Sequence, residues 1–212
     1  MSTYTLWGRP GWGSAIVEAQ LDWYGLAFKF EALGDLFKDA EARDKLAKVN
    51  PLHQVPTLVM PDGKVISESA AITVLLSDIT GQDSLVPGPK DKERGRFLRW
   101  LVYIVANIYP TFTYADDPAR FVTVKEARDP FREKVDAYAQ RLWRQLDGEA
   151  SAPWFLGERM SALDIYIGVM TRWRPKRSWF EANTPKLAAI ARRIEEQPRL
   201  KAVFARNWPT PG

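Results

Sequence analysis

The stretch Asn50-Pro51-Leu52-His53-Gln54-Val55-Pro56-Thr57-Leu58 decides how the chain is read. A residue before proline is pushed out of helical geometry, so Asn50-Pro51 ends the run of helix formers at 39–49. Downstream, 55–60 and 64–66 are apolar strands joined through Pro61-Asp62-Gly63, which reads as a hairpin turn. Ser67-Glu68-Ser69 then opens a helix, because short hydroxyl side chains suit the unpaired N–H groups of a helix start. Its apolar positions Ala71, Ile72, Leu75, Leu76 and Ile79 follow the helical period.

Working upstream, residues 4–7 form a short apolar strand, followed by the turn-rich Gly8-Arg9-Pro10-Gly11-Trp12-Gly13. A helical pattern starts at Ser14, with Ile16, Ala19 and Trp23 on one face, and Gly25 breaks it. Residues 27–32 alternate Phe28 and Phe30 against Lys29 and Glu31, as a half-buried strand does. The N-terminal order is therefore βαβαββα. Residues 81–90, rich in Gly, Pro and Asp, read as a linker between a first domain at 1–80 and a second at 91–212.

The second domain shows only helical patterns. The first runs over 92–109; another puts Phe131, Val135, Tyr138, Leu142 and Leu146 on one face. Thr184-Pro185 and Gln197-Pro198 each start a later helix. In Met160-Ser161-Ala162-Leu163-Asp164-Ile165, Ser161 and Asp164 have the spacing of a capping box and Met160 and Ile165 that of a hydrophobic staple. The expected fold class is α/β plus all-α: a thioredoxin-like βαβαββα domain and then a helical bundle.

Composition narrows the chemistry. With 46% hydrophobic and 26% charged residues the chain falls in the globular range, and 212 residues suit two modest domains. No cysteine means no disulfide, no cysteine zinc site and no cysteine nucleophile, and a single histidine argues against a metal site, so no metal is expected. Any thiol chemistry must use a ligand's thiol. The net charge of +4 comes from basic residues scattered among 26 acidic ones, so no nucleic-acid partner is expected. The apolar runs are shorter than the roughly 20 residues of a spanning helix. Met1-Ser2-Thr3-Tyr4 is no basic, apolar leader. The expectation is a cytoplasmic protein with no membrane partner.

Three segments together resemble the cytosolic glutathione transferase (glutathione S-transferase) family, of bacterial type and serine-like rather than cysteine-type. The first is 50–58, in which Val55-Pro56 would be the cis-proline peptide shared by thioredoxin-like folds. The second is Asp62-Gly63-Lys64-Val65-Ile66-Ser67-Glu68-Ser69-Ala70-Ala71-Ile72, similar to the family's glutathione-binding turn and helix. The third is Phe155-Leu156-Gly157-Glu158 through Asp164, similar to its helical-domain capping motif.

The resemblance implies a site for glutathione as co-substrate. The backbone of Val55, beside Pro56, would pair with the cysteinyl residue of the ligand as an added strand does. Ser69 would hold the γ-glutamyl carboxylate at a helix start, whose partial positive charge favours an anion, and Glu68 the amine. Gln54 and His53 would reach the glycine carboxylate. Ser14 is the candidate for stabilising the thiolate, and the same serine also suits the N-cap of its helix. Lowering a thiol pKa by about two units takes about 2.7 kcal/mol, within reach of one charge-assisted hydrogen bond and a helix terminus. Trp12 would wall the sulfur site. The first helix of the second domain offers Arg96, Arg99, Trp100, Tyr103 and Tyr109, of which Trp100 and Tyr103, together with Trp12, are the candidates for the electrophile pocket.

The implied function is a transferase that conjugates glutathione to a hydrophobic small-molecule electrophile, the chemistry of detoxification, in a homodimer. The alternatives are a glutathione-dependent reductase of disulfides or peroxides, and a noncatalytic binding protein with the same fold.

Overall fold

The computed structural model of the chain describes residues 3–209. Met1 and Ser2, and residues 210–212 of the second domain, lie outside the described residues, and with them part of the Met1–Tyr4 start from which no leader was expected. The first half contains β1 (Tyr4–Gly8), α1 (Ser14–Tyr24), β2 (Phe28–Ala32), α2 (Ala40–Ala47), β3 (Thr57–Val59), β4 (Val65–Ile66) and α3 (Ser69–Thr80). The sheet order is β2-β1-β3-β4, with β2 parallel to β1 and the β1/β3 and β3/β4 pairs antiparallel. The anticipated strand 55–60 is shorter because Pro56 has no N–H to donate to a ladder. The Val55–Pro56 peptide is cis.

The second half is helical: α4 (Arg94–Tyr103), a π turn (Ile104–Ile108), α5 (Tyr109–Asp116), short 3₁₀ turns at Pro118–Arg120 and Lys125–Ala127, then α6 (Arg128–Glu149), α7 (Ala162–Met170), α8 (Arg177–Asn183), α9 (Pro185–Glu195) and α10 (Lys201–Asn207). The pattern that ended the first of these helices at Tyr109 stopped short, since the helical path runs on to Asp116. Proline inside a helix removes one i→i−4 bond and clashes with the carbonyl four residues back. Pro110 meets that conflict through the π turn, in which the N–H of Tyr109 reaches the carbonyl of Ile104.

The linker is not a solvated tether. Leu85 and Val86 are fully buried, and the carbonyl of Leu85 accepts from the N–H of Ala162 at 2.8 Å. The larger of two apolar clusters runs through both halves, joining Leu6, Ile16 and Leu58 to Trp100, Tyr166 and Phe204, while Leu33, Leu36, Ala42 and Leu46 form the smaller. Helix α1 packs against α3 on its own side and against α7 and α10 of the helical domain. Among the described residues no helix is long and apolar enough to cross a membrane.

All nine residues of α7 are buried, so its start cannot be satisfied by water. The capping box meets that need: the Asp164 carboxylate accepts from the N–H of Ser161 at 2.7 Å, the Ser161 hydroxyl at 3.0 Å and the N–H of Phe155 at 2.7 Å. Burial pushes the Asp164 pKa up to about 6, against the lowering effect of those donors. A carboxyl whose folded pKa is raised binds more protons in the native state, so its contribution is full below about pH 4 and falls as pH rises through 6. The stability margin of the wild type over Asp164→Asn, read from urea unfolding, should therefore narrow by about 1–3 kcal/mol between pH 4 and pH 7. A pH-independent margin would contradict this account of Asp164.

Candidate functional site

The site is built where β1 stops. Gly8 is the last residue of the strand; a side chain there would overlap Ser14, which tucks into the space so left. The Ser14 hydroxyl accepts from the N–H of Arg9 at 3.1 Å and donates to the carbonyl of Arg9 at 3.0 Å. It is fully buried, lines neither of the cavities described below, and fastens the 9–13 loop rather than facing the cleft. The residue capping α1 is Gly13, without a side-chain cap. Among the described residues the N–H groups of Gly13 and Ser14 have no hydrogen-bond partner.

Two hydrogen bonds from the helical domain hold the same loop. The N–H of Gly11 donates to Asn207 Oδ1 at 2.9 Å, and its carbonyl accepts from the indole N–H of Trp173 at 2.7 Å. Gly11 adopts φ +77°, a left-handed conformation that costs glycine nothing.

The antiparallel registers explain the second wall. Extended past their last pairs, they put Val55 opposite Arg9 on one side and Ser69 on the other, where both neighbouring strands have already ended. Neither backbone group of Val55 has a hydrogen-bond partner among the described residues. An open strand edge therefore faces a cavity of about 210 Å³ also lined by Gln54, Pro56, Glu68 and Ser69. Glu68 is held at φ +64°, ψ +101°, a strained state for a residue with a side chain and one that clusters at ligand-holding positions. Ser69 begins the twelve-residue α3, and beneath it the Tyr166 hydroxyl lies 3.4 Å from Thr73 Oγ1.

A second cavity of about 880 Å³ adjoins the first. Trp12 is on its wall, tilted against Phe37 at 5.3 Å with the Arg9 guanidinium 5.1 Å over its ring. His53, exposed and at φ +54°, lies on this larger cavity and not on the smaller. Gln54, Val55, Tyr109 and Thr113 line both, so the two spaces share one wall.

Trp100 and Tyr103 line neither cavity, contrary to the expectation from sequence. Trp100 is buried edge-on to Tyr103 at 4.9 Å and to Phe155 at 6.0 Å, and the Tyr103 hydroxyl donates to Gln145 Oε1 at 3.0 Å. Both precede the π turn: Trp100 is in the helical core, and Tyr103 lies half-buried against α6. The aromatic wall comes instead from Tyr109 and Phe112 after that turn, and from Trp173, which meets them edge-to-face at 5.6 and 5.1 Å. The signal in the sequence was Tyr109-Pro110, a helix interrupted at the wall. The arrangement suits an anionic, peptide-like molecule bound along Val55 and α3, with an aromatic chamber beside it.

The N-terminal and C-terminal domain families of glutathione S-transferases match residues 15–79 and 105–207. Over 95% of this chain and 97% of the relative, the sequence is 34% identical to an uncharacterized GST-like protein, YncG, of Escherichia coli. It is 26% identical to the glutathione S-transferase GstA from a second Escherichia coli strain, over 92% of this chain and 94% of the relative. A glutathione transferase homolog from Sulfitobacter, solved with bound glutathione, superposes with a TM-score of 0.82 at 18% identity, covering 96% of this chain and 97% of that one.

A methyl group added at Gly13 would overlap the Tyr109 hydroxyl oxygen. Gly13→Ala should cost about 1–3 kcal/mol of stability by overpacking, and Tyr109→Phe, which deletes that oxygen, should recover most of the loss in the double variant. Additive losses in thermal unfolding would show that the two residues do not compete for one space.

Proposed function

The chain belongs to the glutathione S-transferase family, and on that premise we propose that it binds glutathione and conjugates its sulfur to a hydrophobic electrophile. The observation that carries this reading is the unpaired backbone of Val55 facing the start of α3. The cysteinyl backbone of glutathione adds to Val55, beside Pro56, as one more strand. Its γ-glutamyl end lies at α3, with Ser69 and the helix terminus taking the carboxylate and Glu68 the amine. The glycine carboxylate runs toward Gln54 and His53.

Held this way, the thiol projects toward the N-terminus of α1, where the N–H groups of Gly13 and Ser14 favour the thiolate. Ser14 serves by fixing the loop through both backbone groups of Arg9. The electrophile occupies the larger cavity, against Trp12, Phe37, Phe112 and Trp173. The thiol proton passes to solvent, the thiolate attacks an electrophilic carbon, and a C–S bond forms as the leaving group departs with its electron pair. The protein works in the cytoplasm as a homodimer.

Calorimetric titration with glutathione tests binding, and mass analysis of products from an activated aryl halide tests the chemistry. The expected result is saturable binding, a thioether product, and at least about tenfold weaker binding for Ser69→Ala, since a hydrogen bond to a charged group contributes about 1.5–3 kcal/mol. No thioether from the aryl halide, with glutathione disulfide formed when a peroxide or an organic disulfide is supplied as oxidant, would move the assignment to the reductase reading. Absence of binding at millimolar glutathione would remove both.

A further inference from the structure

Arg9-Pro10-Gly11-Trp12 has the marks of a type II turn: the N–H of Trp12 reaches the carbonyl of Arg9 at 3.1 Å, proline is second, and Gly11 is third at φ +77°. A type I turn closes the same hydrogen bond with the central peptide, Pro10–Gly11, turned over, and proline followed by glycine fits both. The structure selects between them from the far end of the chain. The N–H of that peptide, on Gly11, donates to Asn207 Oδ1 at 2.9 Å. Turned over, the peptide would present the Pro10 carbonyl to the same oxygen, acceptor against acceptor. Asn207 has no freedom to rotate its amide in response, because Nδ2 gives one hydrogen to Glu18 Oε2 at 2.7 Å and the other to the Val203 carbonyl at 2.9 Å. Glu18 is itself buried and held by Arg206 Nε at 2.9 Å. In a buried set of this kind the charge on Glu18 strengthens the bonds linked to it.

We propose that Asn207 is a positioning residue for the thiol chemistry: by holding the Pro10–Gly11 peptide in its type II state, it sets where the Gly13 N–H meets the sulfur of bound glutathione. This rests on the preceding assignment of the thiol to the N-terminus of α1. Only Trp12 and Gly13 separate Gly11 from Ser14, and Ser14 is fixed in turn through both backbone groups of Arg9. The Gly13 N–H therefore lies between two anchored points, and it has no hydrogen-bond partner among the described residues. Gly11, Trp12 and Gly13 all line the larger cavity, whereas Asn207 lines neither, so it acts only through the loop. A plain clamp between α1 and α10 has no need of the amide, since Arg206 already bonds Glu18 directly. What the amide adds is the contact to Gly11. Once it is released, the central peptide is free to turn over, and the Gly13 N–H and the Trp12 wall lose their aim. The Val55 edge and the start of α3, which hold the rest of the tripeptide, are untouched.

The test is a pH titration of the thiolate ultraviolet absorbance of bound glutathione, with the S-methylglutathione complex as blank. It compares wild type, Asn207→Ala, the near-isosteric Asn207→Leu, and the double variant Glu18→Gln with Asn207→Asp, each checked for folding by thermal unfolding. The double variant moves the amide to position 18 and the carboxylate to position 207, so an acceptor for the Gly11 N–H returns with the net charge unchanged. Every charged group lining the two cavities is the same in all four proteins. The expected result is a wild-type midpoint below the roughly 8.5 of an unperturbed thiol. In Asn207→Ala and Asn207→Leu the midpoint should rise by at least about one pH unit, a tenfold loss of thiolate below both midpoints, and in the double variant it should return to within about 0.3 unit of wild type. Conjugation should fall by the same factor in the single variants at pH 6.5 and recover at high pH, while S-methylglutathione binds all four proteins within about threefold. An unchanged midpoint in either folded single variant overturns the role of Asn207 and leaves glutathione binding standing, and so does a folded double variant that keeps the raised midpoint. Equal loss of glutathione and S-methylglutathione binding also overturns it, since that marks a packing role. A wild type that fails to bind glutathione, or binds it with an unshifted midpoint, fails the underlying assignment and this inference together.

Discussion

The loop between β1 and α1 is folded locally by the Trp12 N–H on the Arg9 carbonyl and by Ser14 on Arg9, and two hydrogen bonds from the other domain hold it in place. Gly11 gives its N–H to Asn207 and receives the indole N–H of Trp173 at its carbonyl. Asn207 is itself held by Glu18 on α1, at 2.7 Å, so helix and loop are tied to the same side chain. Removing one partner from such a set leaves a buried donor or acceptor unsatisfied, which typically costs about 1–3 kcal/mol. Helix α1, its entry loop and α10 are thereby joined through one asparagine.

The same logic extends to the seam between the cavities. Val55 is open because both neighbouring strands end before reaching it, β1 leading through a loop to α1 and β4 to α3. Topology produces a vacancy in the hydrogen-bond ladder, and a ligand with peptide groups can fill it. The helical domain closes the other side with Tyr109 and Thr113. Neither domain alone contains a complete wall.

The sequence carried the βαβαββα order, the hairpin, the helix start at Ser69 and the Asp164 capping box, because these rest on local rules: period, turn residues and caps. It did not carry the direction of Ser14, since a serine at a helix start looks alike whether its hydroxyl faces a cleft or the preceding loop. Trp100 and Tyr103 were legible as aromatics on one helical face, but which face meets the cavity is decided by packing against α6 and α7. The burial of Leu85 and Val86 likewise depends on a partner, Ala162, far along the chain. In each case the missing information was tertiary.

The π turn at Ile104–Ile108 has a consequence for how related chains correspond to one another. An α-helix turns about 100° per residue, so one extra residue in a turn rotates everything after it by more than a quarter circle. Two chains that differ only in whether or where they carry such a turn would present different side chains to the same point in space, with every letter around the cavity unchanged. Matching residues by column would then pair groups that do not occupy the same place. Beyond Tyr109-Pro110, equivalence in this fold is a matter of helical phase.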